Sequence, residues 1–340
     1  MRPVQVSNPP NPWASTWVEY LEDEPPAEVK LEVFEDHTRQ ILAQNDSPDV
    51  GFRYSVNPYR GCFHACAYCY ARPGHEYLGL GAGTDFERKI VVKPKAPELL
   101  AAAFARKSWR RELVAFSGVT DCYQPLEASL LLTRRCLEVC ANFANPVGVI
   151  TKAPLIERDI DVLTRIAERA SVRVTLSVPF WDPDRARAIE PFVATPARRL
   201  RTIETLAKAG LSVGVNVAPI IPGLNDQDIP RILTAARDAG ATHAGFVMLR
   251  LPGPVKDVFV GKLRQALPDS ADRVLHRIRE TRKGKLYDAR FGQRGRGEGI
   301  YAEAIAQLFR TTALRLGFSA AEETRQPAPG DQLGLPFERG

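Results

Sequence analysis

The sequence predicts an α/β fold with parallel strands, and three observations support this prediction. Short β-branched segments, each closed by Gly, Pro or Asp, begin near residues 112, 147, 172, 211 and 243. They are almost continuously apolar, which is typical of strands covered on both faces. The stretches between them carry apolar residues at helical spacing, as in "RLRTIETLAKAG", which ends in the glycine expected after a helix. Strands that alternate with helices in this way pair in parallel.

An earlier segment, "RYSVNP", brings the count to about six strand–helix units, and "RKIVVK" is a candidate for a further short strand. Six units fit either a partial TIM-type barrel or a doubly wound sheet, and both bind ligands at the carboxyl ends of their strands. The expected organisation is an irregular N-terminal extension, the strand–helix region, a helical C-terminal extension and a loose tail: residues 1–50, 51–252, 253–318 and 319–340.

The composition is that of a globular protein without membrane spans. Of the 340 residues, 44% are hydrophobic and 25% charged, and no apolar stretch approaches the length of a transmembrane helix. The N-terminal segment "MRPVQVSNPPNPW" has no apolar run after Arg2, which favours a cytoplasmic protein. In a reducing compartment, six cysteines indicate metal ligands or reactive thiols sooner than disulfide bonds.

Charge is distributed unevenly along the chain, whose net charge is +6. An early segment is acidic and a late one, which includes "RFGQRGRGEGIYAEAI", is basic. One interpretation is two solvated faces that attract each other. The other is a phosphate-facing surface on the late segment, since guanidinium groups and a glycine-rich backbone suit phosphate.

Three of the six cysteines, Cys62, Cys66 and Cys69, lie within "GCFHACAYC". This spacing lets one loop direct three sulfurs at a single centre. A structural zinc site would need a fourth ligand, usually from a second paired motif, and the sequence has no second C-x-x-C. A [4Fe–4S] cluster held by three thiolates would leave one iron open to a small molecule. His64 could replace a ligand, although a supporting position beside the cluster is the favoured alternative.

The pattern C-x-x-x-C-x-aromatic-C after a first strand resembles the signature of the radical S-adenosylmethionine (SAM) superfamily. The resemblance covers roughly residues 50–252 and implies a partial (βα)6 TIM-type barrel. It also implies that Cys62, Cys66 and Cys69 hold the cluster and that Tyr68 lies near the adenine of SAM. In this superfamily an electron from a donor such as flavodoxin or ferredoxin cleaves SAM, and the resulting 5'-deoxyadenosyl radical abstracts hydrogen from the substrate.

Polar residues in the loop "SGVTD" are candidates for binding SAM, since they follow the second barrel strand. The resemblance assigns this loop to the methionine amine of SAM. Asp121 is the first candidate, with Ser117 and Thr120 beside it. An N-cap or a turn is the alternative role for such residues.

Later strands supply further candidates. Ser177 could reach the ribose or carboxylate of SAM, and Arg198 or Arg199 could pair with the carboxylate in the bidentate way that arginine favours. The alternative for both arginines is a helix surface. Asn216, within an apolar strand, needs a polar partner, which could be a bound ligand or the backbone.

The segments "NPYRGCFHACAYCYAR", "VVKPKAP" and "SGVTD" most resemble the spore photoproduct lyase-like branch of the superfamily. This resemblance implies that Cys122, directly after the "SGVTD" loop, donates a hydrogen atom to a product radical. Together with the basic late segment it makes nucleic acid, for example a damaged base, the first substrate class to test. The competing hypothesis is a non-catalytic nucleic-acid-binding protein with a structural zinc or iron–sulfur site.

Overall fold

The computed structural model describes residues 31–318 and the backbone of Val4–Val6. The strands are β1 (Val4–Val6), β2 (Glu32–Glu35), β3 (Leu42–Gln44), β4 (Tyr54–Val56), β5 (Tyr59–Arg60), β6 (Lys89–Val92), β7 (Val114–Phe116), β8 (Val147–Thr151), β9 (Val172–Ser177), β10 (Val213–Ile220) and β11 (His243–Met248). The α-helices are α1 (Thr84–Arg88), α2 (Ala96–Phe104), α3 (Glu127–Leu130), α4 (Leu132–Phe143), α5 (Ile160–Ala167), α6 (Pro183–Ile189), α7 (Pro196–Lys208), α8 (Ile229–Asp238), α9 (Val255–Ala266), α10 (Pro268–Glu280) and α11 (Ile300–Arg315).

Six parallel strands form the main sheet in the order β4-β7-β8-β9-β10-β11. A doubly wound sheet reverses its strand order partway, whereas this order follows the chain in one direction, as the strands of a barrel do. β3 pairs antiparallel with β4 and forms one edge, and β11 forms the other. The predicted partial (βα)6 TIM-type barrel is therefore confirmed.

The segment "RKIVVK" forms β6, but β6 belongs to a second sheet outside the barrel. In that sheet β6 lies between β2, with which it is parallel, and β5, with which it is antiparallel. Residues 31–50 thus contribute two strands, β2 and β3, that the sequence pattern did not reveal.

The core lies between the barrel strands and the helices outside them. α4 directs Cys136, Leu137 and Cys140 into this core at 0% exposure, as expected for apolar side chains that share one helix face. Each large side chain buried in this way stabilises the fold by about 1.5–3 kcal/mol. α11 completes the barrel, since Phe309 packs on Phe246 of β11 with ring centroids 4.7 Å apart.

α9 and α10 cover the carboxyl ends of the later strands. Phe259 and Leu263 of α9 and Val274 of α10 belong to an apolar cluster that also contains Cys66 and Tyr68. The helices after β11 therefore pack directly on the cysteine loop. The expected loose tail, residues 319–340, lies outside the described residues, as do residues 7–30. None of the helices described here is long and apolar enough to cross a membrane.

Candidate active site at the carboxyl ends of the strands

The cysteine loop, residues 61–69, follows β4 and β5 and is tightly folded. Gly61 has φ +78°, and a Cβ at this position would lie 2.8 Å from the ring of His75 and 2.9 Å from the carbonyl oxygen of Phe86. The amide of Cys62 donates a hydrogen bond to the same carbonyl at 2.9 Å. Only glycine fits this approach, because both its conformation and its lack of a side chain are needed.

Two thiols of the loop are buried and the third, that of Cys69, is half-buried. Cys62 and Cys66 are 6% and 8% exposed. Burial raises the pKa of Cys66 to about 12, and Glu190 adds to the increase. Burial also raises the pKa of Cys62, and Asp121, Cys69 and Cys66 raise it further. All three thiols lie on one short loop, and thiolate donors are the ligands that iron–sulfur clusters use.

Those sulfurs are not arranged around a single ion. Within residues 31–318, no three Cys, His, Asp or Glu side chains converge as ligands of one metal ion would.

Arg72, in the segment "CYAR", fixes the path of the cysteine loop. Its side chain is 0% exposed. The guanidinium donates hydrogen bonds to the carbonyl oxygen of Cys66 at 2.8 and 3.2 Å, and to that of Ala65 at 3.3 Å. It also donates to the carbonyl oxygens of Ala82 at 2.9 Å and Gly83 at 3.0 Å. One buried side chain therefore joins the cysteine loop to the segment that precedes α1.

Glu87 balances the charge of Arg72, with an oxygen–nitrogen distance of 2.6 Å. Glu87 also pairs with Lys262, which comes from α9. Lys262 donates a second hydrogen bond to the carbonyl oxygen of Ala65 at 3.3 Å. The C-terminal helices thus contribute a charged group to the support of the cysteine loop. Sequence reasoning missed both Arg72 and Lys262.

The loop after β7 contains three predicted site residues whose side chains are engaged within the protein. The Ser117 hydroxyl accepts a hydrogen bond from the amide of Cys122 at 2.9 Å. The Thr120 hydroxyl donates to the carbonyl oxygen of Tyr59 at 3.1 Å. These contacts correspond to the turn-forming alternative, and the second one joins this loop to β5, directly before the cysteine loop.

Asp121 lies beside the cysteine loop and accepts several hydrogen bonds. Its carboxylate accepts from the Thr151 hydroxyl at 2.6 Å, the Lys152 amide at 2.8 Å and the Tyr123 amide at 3.0 Å. The buried ring of His64 lies 3.5 Å from the same carboxylate. Burial acts to raise the pKa of Asp121, but the His64 interaction and the other hydrogen bonds outweigh it and lower the pKa to about 2. His64 thus has a supporting contact.

Ser177 and Asn216 are brought together by strand register. They are direct partners on the parallel strands β9 and β10. Asn216 is also the register partner of Gly245 on β11, where a Cβ would lie 3.4 Å from the Asn216 amide oxygen. The two predicted residues therefore form one polar position near the carboxyl ends of three strands.

The adjacent arginines Arg198 and Arg199 have different environments. Arg198 forms a bidentate ion pair with Glu157 at 2.6 and 3.0 Å on the outer side of α7. Arg199 is 1% exposed and pairs with Glu190 at 2.5 Å. Glu190 also accepts a hydrogen bond from the Tyr68 hydroxyl. Arg199 therefore supports the position of Tyr68, whereas Arg198 lies away from the cysteine loop.

Lys152, directly after β8, is a cation at the site that sequence reasoning missed. Its ammonium nitrogen lies 5.6 Å from the ring centroid of Tyr68. Burial acts to lower the pKa of Lys152, but Cys66 and Glu190 outweigh it and raise the pKa. Lys152 could have been predicted from the sequence, because in "VITKAP" it stands directly after a strand, where barrel proteins bind their ligands.

Cys122 lies in the apolar core at 1% exposure. Burial raises the pKa of its thiol well above the ordinary value. This environment is that of a buried small hydrophobic residue. It lends no support to contact between Cys122 and a substrate radical.

The late basic segment is largely paired with acids. Arg290 pairs with Asp288 at 2.5 Å and with Glu298 at 3.0 Å. Arg294 pairs with Asp49, in the N-terminal extension. These contacts favour the interpretation of mutually attracting faces over that of a phosphate-facing surface.

The chain is similar to uncharacterised proteins of two kinds of organism. It is 38% identical over 224 residues to a protein of Mycobacterium tuberculosis. The aligned region covers 65% of this chain and 66% of the relative. It is 28% identical over 197 residues to a protein of Methanocaldococcus jannaschii, over 58% of this chain and 71% of the relative. The matched region thus spans just under two thirds of the length of the mycobacterial relative.

The fold is similar to that of spore photoproduct lyase complexed with dinucleoside spore photoproduct, with a TM-score of 0.60 and 15% sequence identity over 84% of this chain and 80% of that one. The structure of a mutant of that enzyme with bound AdoMet has a TM-score of 0.54 at 16% identity, over 84% of this chain and 77% of the other. At such identities the likeness concerns the fold. A model of the radical SAM superfamily matches residues 56–236, more than half of the chain, and the chain therefore belongs to this enzyme superfamily, whose cofactors are an iron–sulfur cluster and SAM.

Proposed function

We propose that this chain is a radical SAM enzyme in which Cys62, Cys66 and Cys69 bind a [4Fe–4S] cluster and the neighbouring strand ends bind SAM. The observation that carries the proposal is the placement of all three thiols on one short loop after β4 and β5, with Cys62 and Cys66 buried and Cys69 half-buried. When bound, the cluster supplies the electron that cleaves SAM to methionine and a 5'-deoxyadenosyl radical, which abstracts hydrogen from the substrate. A low-potential donor such as flavodoxin or ferredoxin is the proposed source of electrons.

The residues around the thiols have separable roles in this proposal. Arg72 holds the carbonyl groups of the cysteine loop and so orients the ligands. Lys152 supplies a positive charge next to Cys66, which favours the thiolate form that metal ligands require. Ser177 and Asn216 offer polar groups to SAM at the strand ends. Tyr68, fixed by Glu190, is assigned to contact with the adenine of SAM.

The carboxylate of SAM requires a different partner from those first considered. Arg198 is paired with Glu157, and Arg199 with Glu190. Asp121 accepts hydrogen bonds from its own surroundings, so we assign to it the support of the cysteine loop through His64. Hydrogen transfer from Cys122 has no structural support in its core position.

Nucleic acid, with a damaged base as one example, is the substrate class that we propose to test first. Exposed aromatic side chains beside the cysteine loop support it, because nucleobases stack on such rings. Phe63 of the loop stacks on Phe192 with centroids 4.9 Å apart, and Phe192 is 37% exposed. Tyr70 is 49% exposed. The relative in fold with a bound dinucleoside photoproduct is consistent with this class.

Anaerobic reconstitution separates this proposal from a non-catalytic protein with a structural site. The expected result is about four iron and four sulfide per chain, with release of 5'-deoxyadenosine from SAM after addition of dithionite. Cys66→Ala should abolish both, whereas Cys136→Ala, which removes another buried thiol, on α4, should retain both. A colourless protein that holds one zinc and leaves SAM intact would refute the enzyme and favour the alternative.

A further inference from the structure

Arg250 lies two residues after the end of β11, at the edge of the barrel sheet. Its guanidinium carbon is 5.5 Å from the ring centroid of Tyr70, the residue that follows Cys69. The Tyr70 hydroxyl donates a hydrogen bond to the carbonyl oxygen of Gly118 at 2.9 Å, in the loop after β7. Arg250 is therefore in contact with the residue that directly follows the cysteine loop, on the ligand-binding side of the barrel.

Arg250 differs from Arg282 and Arg294 in that the part of the chain described by the structure gives its guanidinium no hydrogen-bond acceptor. Among the residues that the structure describes, its Nε is the buried side-chain nitrogen or oxygen that makes no hydrogen bond. By contrast, Arg282 donates hydrogen bonds to the carbonyl oxygens of Leu249 at 2.9 Å and Gln293 at 2.7 Å. A half-buried guanidinium loses hydration, and without hydrogen bonds that loss has no compensation.

Asp49, whose pKa the charge of Arg250 affects, does not supply the missing partner. Asp49 is near enough for the charge of Arg250 to lower its pKa. Its two carboxylate oxygens are already engaged, one with the amide of Gly292 at 2.7 Å and the other with Arg294. Arg250 is thus positioned by its stacking contact on Tyr70, and its hydrogen-bonding capacity is available to a ligand.

We infer that Arg250 binds an oxyanion, either carboxylate or phosphate, of a ligand that lies beside Tyr70 at the carboxyl ends of the strands. The planar guanidinium presents several donors in a fork that matches two oxygens of such a group. Its stacking on Tyr70 fixes the fork beside the cysteine loop. This inference rests on the proposed function in one respect, namely that SAM and the substrate bind beside the cysteine loop.

Two sources could supply the oxyanion, and binding experiments on the reconstituted protein distinguish them. Titration calorimetry without reductant would measure the affinity of SAM and, separately, of the thymidine dinucleotide with a 5'-phosphate. Arg250→Gln should weaken one of these probes about 10- to 100-fold, as expected for a lost charge-assisted contact. A lower affinity for SAM would identify the SAM carboxylate as the oxyanion that Arg250 binds. A lower affinity for the dinucleotide would identify a substrate phosphate.

Arg231→Gln is the matched control, because Arg231 also stacks on an aromatic ring, at 4.8 Å from the centroid of Trp181, but lies on α8. It should leave both affinities unchanged. Arg250→Lys keeps the charge but not the fork and should give a smaller loss. Equal affinities of the wild type and Arg250→Gln for both probes, including no measurable binding of either, would overturn the inference. Because no SAM cleavage is measured, this failure is distinct from failure of the proposed function.

Discussion

Replacement of Arg72 by Met is the sharpest test of how the protein orients its cysteine loop. The change removes the donors to the carbonyl oxygens of Cys66, Ala65, Ala82 and Gly83. It keeps most of the buried volume but leaves these acceptors without their partner. The loop would then lose the fixed path on which the directions of its thiols depend.

The expected cost follows from the burial of this contact network. Arg72 is fully buried and its partner Glu87 is 11% exposed. Removing one member of a buried ion pair typically costs about 3–5 kcal/mol. Glu87 keeps Lys262 as a partner, so we expect the lower end, about 3 kcal/mol. That is a large fraction of the roughly 5–15 kcal/mol that stabilises a typical protein.

The assays are anaerobic urea unfolding, iron and sulfide content, and the electron paramagnetic resonance (EPR) spectrum of the reduced cluster. Arg72→Met should unfold at lower urea concentration, hold less iron and show a broadened or altered spectrum. Arg198→Met is the control, because it breaks a bidentate pair whose side chains are 25% and 24% exposed, away from the cysteine loop. It should cost about 1 kcal/mol or less and leave the spectrum unchanged. Full iron content and an unaltered spectrum in Arg72→Met would show that Arg72 does not orient the cysteine loop.

Two further predictions concern charge. Burial, assisted by Arg173, lowers the pKa of His243 from 6.5 to about 4 in the folded protein, so the unfolded chain takes up the proton first as pH falls below 6.5. Stability due to the neutral ring is therefore complete above pH 6.5 and decreases toward pH 4, by about 1 kcal/mol between pH 7.5 and 5.5. In His243→Gln, urea unfolding should show that much less pH dependence, and an unchanged dependence would contradict the assignment. Lys152→Met removes a positive charge near the thiols and should shift the cluster midpoint potential to a more negative value by roughly 40 mV, equivalent to about 1 kcal/mol for one electron. A redox titration that shows no shift or a positive one would be evidence against this placement of Lys152.

The barrel was predictable because its strands carry a local signal. Each is a short apolar run closed by a turn residue, and burial on both faces requires that composition. The cysteine spacing is equally local, since one loop holds all three candidate ligands. β2 and β3 gave no comparable signal, because they are only four and three residues long and mix polar with apolar residues, so neither shows a clear period.

The supporting contacts depend on residues far apart in the chain, and no local pattern encodes them. Lys262 meets Glu87 across 175 positions, and Tyr68 meets Glu190 across 122. The adjacent Arg198 and Arg199 were equivalent in sequence, but helix geometry turns neighbours about 100° apart, so one lies outside and the other is buried. The sequence thus shows that both residues carry a positive charge. The acid with which each one pairs is determined only by the tertiary fold.

In the proposed function, three thiolates of this chain leave one iron of the cluster open to SAM. Electron–nuclear double resonance of the dithionite-reduced protein, with SAM labelled at its amino nitrogen, tests this most directly. The spectrum should show a hyperfine coupling from the labelled nitrogen that is absent without SAM. A fourth iron bound by a side chain such as His64, with no coupling to the label, would contradict it.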